Sequence, residues 1–203
     1  MSSSHRTVGS AAWLVSLLVL AVAVLFQALD AGGALRWERG LLLAEPWRIV
    51  SGHLVHLGWI HLGLNALAAA MLGAAIGRAM PLAGWLWAAS ISVVAVSGGL
   101  ALWSPGVQWY VGFSGVLHGL LAAGAIAGLR STPWVSGVLL LALAGKLSLE
   151  WFAAGDSPVS VLIGGAVVTD AHLYGALGGI LAGLAFLAHK RRRGAGTEAA
   201  RFG

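Results

Sequence analysis

Between Arg78 and Arg130 the chain carries no Asp, Glu, Lys or Arg. Soluble domains average about 25% charged residues, so a run of that length cannot present a solvated surface. Hydrocarbon tolerates it. The rest of the chain agrees: 59% of the 203 residues are hydrophobic and 9% are charged, which excludes a soluble core-and-shell fold and intrinsic disorder alike. Cysteine is absent, which removes disulfide frameworks, cysteine-ligated zinc and iron–sulfur clusters. The expectation is an all-α polytopic membrane protein. The net charge of +5 comes from a few basic residues at segment ends. These read as topology signals, and no nucleic-acid partner is expected.

A helical span needs about 20 apolar residues to cross roughly 30 Å of hydrocarbon. The uncharged run is too long for one helix and is broken at 103–112 (WSPGVQWYVG) by turn and interfacial residues. It therefore predicts helices over 82–102 and 114–129. Further apolar segments at 11–29, 61–77, 134–152 and 171–189 bring the expectation to six spans. The first is too long for a signal-peptide core, and no cleavage site follows it. Period-2 alternation, the mark of a membrane barrel, is missing. One side receives Arg6, Arg78, Arg130, Lys190, Arg191, Arg192, Arg193 and Arg201, the other Arg36, Arg39 and Arg48. Both termini are then cytoplasmic. Residues 1–10 form a cytoplasmic N-terminus, 11–189 the membrane domain, and 190–203 a basic tail expected to fray. The long first loop, 30–60, holds Trp37, Trp47 and Trp59 and is expected to lie in the outer interface.

Polar side chains inside a membrane are costly and mark function by default. His61, Asn65, Ser114, His118, Lys146, Glu150 and His172 are the exceptions to the apolar pattern. Counting residues sorts them by depth. His61 is 17 residues from Arg78, Ser114 is 16 from Arg130, and His172 is 17 from His189. At 1.5 Å per residue each lies about 24–26 Å from the cytoplasmic end of its helix.

Serine becomes a nucleophile when a base removes its proton, and neutral imidazole does so near pH 7. Ser114 opens its helix between Gly112 and Gly115, so first-turn amides face any negative charge that develops there. His61 and Asn65 share a helical face four residues apart, and both can donate to an oxyanion. Asp170 lies two residues from His172, on the other side of the helix, so it does not orient that ring. The reading is a Ser114–His172 dyad. Lys146 and Glu150 are spaced for mutual neutralisation. Gly175, Gly179 and Gly183 on one helix, with Gly115, Gly119 and Gly124 on the other, permit close packing.

These residues resemble the rhomboid intramembrane serine proteases. Gly112-Phe113-Ser114-Gly115 is similar to their GxSG motif, and His61-Leu-Gly-Leu-Asn65 to their HxxxN motif. Ala171-His172-Leu-Tyr-Gly175 with Gly179 resembles their AHxxGxxxG. Glu45-Pro-Trp47-Arg48, followed by His56 and His61, resembles their first-loop pattern, in which a Trp-Arg pair packs a membrane-lying hairpin. The resemblance implies a six-helix bundle with Ser114 as nucleophile and His172 as general base. It implies an oxyanion hole of His61, Asn65 and the Ser114 N–H, and a lateral gate at Trp151 and Phe152. His118 stands where the family often has a tyrosine packed against the catalytic histidine. His118, with Gly112 and Gly115, is a candidate to support the dyad, by packing or by a direct role, whereas Trp47 and Arg48 are expected to be structural.

The SGxxHG sequence of Ser114 to Gly119, the EPWR loop and the short build look most like the rhombosortase branch. That branch implies exported substrates with a C-terminal Gly-Gly motif, a helix and a basic tail. Substrates enter laterally from the bilayer, and neither cofactor nor metal is expected. The implied location is a bacterial inner membrane, with the site opening to the periplasm. The alternatives are a generic rhomboid protease of single-span substrates, a haem-binding membrane protein using His61, His118 and His172, and an inactive rhomboid-like scaffold.

Overall fold

A computed structural model describes residues 4–152 and 158–202, with side chains for 15–152 and 158–192. Helices dominate: α1 (Ser4–Ala28), the short α2 (Gly32–Leu35) and α3 (Arg48–Ser51), α4 (Trp59–Ile76), α5 (Leu82–Trp103), α6 (Ser114–Gly128), α7 (Pro133–Phe152), the short α8 (Pro158–Ile163) and α9 (Thr169–Phe202). Two-residue strands β1 (Trp37–Glu38) and β2 (Trp109–Tyr110) pair antiparallel, Trp37 opposite Tyr110.

The described residues contain four helical stretches long and apolar enough to cross a membrane: Trp59–Ile76, Leu82–Trp103, Pro133–Phe152 and Thr169–Arg192. Two further apolar helices, Val15–Ala28 and Ser114–Gly128, are shorter. The 15 residues of α6 reach about 22 Å, less than the hydrocarbon thickness. Its brevity follows from its start, because the chain turns at Gly112 immediately before it. In the last helix, helical backbone continues beyond His189 through the basic run to Phe202. Of the basic residues counted for orientation, Arg6, Arg193 and Arg201 lie outside the described side chains.

Helix α6 is the centre of the bundle. Its Gly and Ala positions are buried along nearly its whole length, and α4, α5, α7 and α9 all pack on it. The α6–α9 contact is the tightest. A Cβ added to Gly115 would lie 2.8 Å from the Ala171 carbonyl oxygen, and one added to Gly119 would lie 2.6 Å from that of Gly175. Gly175 and Gly179 press in turn on the carbonyls of Gly115 and Gly119. Gly124 faces elsewhere, toward Trp85 and Ile76 on α5 and α4.

The first loop is held by arginines and one tryptophan. Trp37 is fully buried in a cluster with Val96, Leu100, Tyr110 and Ala171. Trp47 is exposed at 53%. Arg48 points inward, bonding the Glu45 carboxylate at 2.6 Å and the Arg36 carbonyl at 2.9 Å. A two-residue strand presents alternate faces, so the strand tryptophan fills the core while the helix-leading one does not.

Arg39 donates to the carbonyls of Leu100 (2.5 Å), Ala101 (2.7 Å), Ser104 (2.7 Å) and Val107 (3.0 Å). These include carbonyls at the C-terminal end of α5, which lack intrahelical partners and carry the negative end of the helix dipole. Arg39→Ala is expected to cost about 3 kcal/mol, the upper range for hydrogen bonds to a charged donor. A lowered midpoint in thermal unfolding of the detergent-solubilised protein checks this.

Candidate active site

Ser114 and His172 meet across the α6–α9 seam, with His172 Nε2 2.9 Å from Ser114 Oγ. Ser114 is the first residue of α6, and His172 is the fourth of α9, buried at 5% exposure. The close backbone approach at Gly115 and Gly175 permits this distance. Position 112 must be glycine for two reasons. Its φ of +115° suits only a residue without Cβ, and a Cβ there would lie 2.6 Å from His61 Cε1. Tyr110 Oη donates to the Gly112 carbonyl at 2.6 Å, and the Gly112 N–H donates to Gly52 at 3.1 Å. The turn before the serine is thus clamped from both sides. Burial pushes the Tyr110 phenol up to about 12, so it remains a neutral donor.

His61 and Asn65 are both buried on α4. The Leu57 N–H points at His61 Nδ1 across 3.4 Å, a long contact that leaves Nε2 as the protonated nitrogen of a neutral ring, beside Gly112. Asn65 Nδ2 is buried with no hydrogen-bond partner among the described residues. An unmatched buried donor costs about 1–3 kcal/mol, so an acceptor arriving with substrate would relieve it. The His56 ring packs edge-on against His61 at 5.0 Å between centroids. Burial holds His56 down at about 4, so it stays neutral at physiological pH.

His118 lies one turn below Ser114. Its ring stacks on that of His172, 4.1 Å between centroids and 13° between planes. Its Nδ1 is 2.7 Å from the Ser114 carbonyl, which can only accept, so Nδ1 carries the proton. Asp170 takes no part at the His172 ring and accepts from Ser104 Oγ, which also meets the Tyr174 hydroxyl at 3.0 Å. Trp151 and Phe152 end α7 at 69% and 82% exposure. A groove between α7 and α9, lined in part by these two residues, reaches Glu150.

Glu150 is the residue that reading the sequence places differently. It does contact Lys146 on its own helix, as the spacing predicts. Both its carboxylate oxygens also meet His172 Nδ1, at 3.0 and 2.9 Å. A signal for this lies in the chain. Glu150 is 17 residues from Pro133 at the start of α7, about 26 Å of helix, which is the level of His172.

Side-chain atoms of His118, Glu150 and His172 fall within 4.8 Å of one another, a donor set that transition metals accept. Parallel stacked rings direct their lone pairs side by side rather than to a common point, and both nitrogens of His172 are already engaged. Within the set Glu150 and His172 are hydrogen-bonded, and His118 is stacked beside them. The same stacking leaves no gap for a haem between His118 and His172.

An all-α integral membrane protein with a serine hydroxyl bonded to a buried imidazole defines a narrow class. The sequence matches the Rhomboid domain over residues 43–189. The chain belongs to the rhomboid family, whose members are intramembrane serine proteases acting on membrane proteins within the bilayer. None of the curated proteins matches it as a relative.

Proposed function

We propose that this protein is an intramembrane serine endopeptidase working through a Ser114–His172 dyad. The 2.9 Å contact between Ser114 Oγ and His172 Nε2, inside the matched domain, carries the reading. Ser114 Oγ attacks the scissile carbonyl carbon while its proton passes to His172 Nε2. The oxyanion is received by the Ser114 N–H, His61 Nε2–H and the unmatched Asn65 Nδ2. The C–N bond then breaks, the amine leaves with the proton from His172, and an acyl-serine ester remains. Water adds to that ester, giving its proton to Nε2, and the returning proton frees Ser114.

In this proposal the two shorter apolar helices join the four long ones as six spans, with both termini cytoplasmic in a bacterial inner membrane. The first loop lies in the outer interface and the site opens to the periplasm. The distribution of Lys and Arg supports that orientation. Helix α7 buries only Ser136 and Leu143 among its described side chains, which suits a lateral gate at Trp151 and Phe152. The SGxxHG and EPWR sequences favour C-terminal Gly-Gly segments of exported proteins as substrates.

The dyad is tested with a fluorophosphonate probe on the purified protein. Expected is one adduct, at Ser114, absent from Ser114→Ala and His172→Ala. An adduct that persists in Ser114→Ala would overturn the assignment.

A further inference from the structure

We propose that Glu150 completes a Ser114–His172–Glu150 triad, as a positioning residue that holds His172 through both carboxylate oxygens. The inference rests on the protease reading above and adds a third member to its dyad.

A carboxylate in a membrane-spanning helix is expensive, and a nearby Lys146 alone can neutralise it. Neutralisation explains the charge but not the direction of the carboxylate. Glu150 lies on α7 and His172 on α9, yet both oxygens are equidistant from Nδ1 within 0.1 Å, at 3.0 and 2.9 Å. An ionised carboxylate only accepts, so Nδ1 must carry the proton. That assigns the tautomer: the lone pair of Nε2 faces the Ser114 hydroxyl at 2.9 Å, as a general base requires. The ring is also held in its plane, because His118 stacks on one face and is itself tied to the Ser114 carbonyl. When Ser114 gives up its proton, positive charge on His172 forms beside the carboxylate. The groups facing His172 are thus Ser114 and His118 from α6 and Glu150 from α7, with Lys146 behind the carboxylate. Of these only Glu150 can accept from Nδ1 in this arrangement.

The test is a set of variants in the full-length protein, read by kcat and KM on a membrane-anchored reporter and by the rate of fluorophosphonate labelling. Glu150→Gln is expected to lower kcat and the labelling rate by on the order of 100- to 10,000-fold, with KM and thermal midpoint near wild type. Glu150→Asp keeps the charge and is expected to recover part of the loss. Lys146→Met is expected to keep most of the activity, and Lys146→Met combined with Glu150→Gln to stay as slow as Glu150→Gln alone. If Glu150 merely neutralises Lys146, that double variant returns to wild-type kcat and the proposal fails. It fails equally if Glu150→Gln keeps the wild-type rate while Ser114→Ala is dead, an outcome that leaves the dyad standing. Cleavage surviving in Ser114→Ala overturns both.

Discussion

Ser114→Ala and His172→Ala are each expected to leave a membrane-anchored reporter uncut. With an exported reporter ending in a Gly-Gly segment, a helix and a basic tail, the wild-type chain is expected to yield a shortened C-terminus by mass. Either variant is expected to yield only the full-length form. The loss should be at least about a thousandfold, because residues that act as one unit fail together when either is removed. Binding and the oxyanion donors survive both substitutions, and what they retain over water is too little to see on a peptide bond. Folding of Ser114→Ala should not suffer. Ser114 is half-buried at a helix start whose carbonyl still meets His118, and removing one hydroxyl leaves no large cavity. A trimmed reporter in Ser114→Ala cells would show another nucleophile at work. A reporter left whole by the wild type, beside a generic single-span substrate that is cut, would retain the protease and discard the Gly-Gly preference.

The serine and the histidine are legible in the chain for a physical reason. Charge is so scarce that Arg78 and Arg130 serve as marks for the ends of their helices, and residue counting turns those marks into depth. Depth, however, is one coordinate of three. Glu150 shares the level of His172, but Lys146 four residues away offers a local partner that accounts for its charge. Only the rotation of α7 about its own axis reveals that the carboxylate faces α9, and a helix with few buried side chains carries little periodicity from which to read that rotation. The first loop is illegible for a different reason. Arg39 bonds carbonyls more than sixty residues away, and Trp37 rather than Trp47 enters the core, because two-residue strands and single turns have no repeating pattern. The arginines 36, 39 and 48, counted as marks of one membrane face, also have local work: an ion pair with Glu38, a helix cap and an ion pair with Glu45. Their position reports loop architecture as much as topology.

The glycine seam carries the second large expectation. Gly175→Ala is expected to cost about 1–3 kcal/mol as an overpacking change and to slow labelling of Ser114 by roughly a hundredfold. The added methyl would fall on the backbone carbonyl of Gly115, with no flexible side chain in between to give way. Relief therefore requires α6 and α9 to move apart. Gly115 follows Ser114, and Gly175 is three residues from His172, so the same movement lengthens the 2.9 Å contact on which proton transfer depends. Packing and chemistry are coupled here by geometry: the seam that allows the backbones to touch is what brings the hydroxyl to the imidazole. Gly98 on α5 is the control, since a Cβ there meets nothing within 4 Å. Gly98→Ala should be neutral or stabilising by up to about 1 kcal/mol, from helix propensity alone, and should label at the wild-type rate. Thermal midpoints and labelling rates of the two variants, measured side by side, separate a local clash from a general intolerance of alanine. Wild-type labelling in Gly175→Ala would mean that the helices part without disturbing the pair, and the coupling would be refuted.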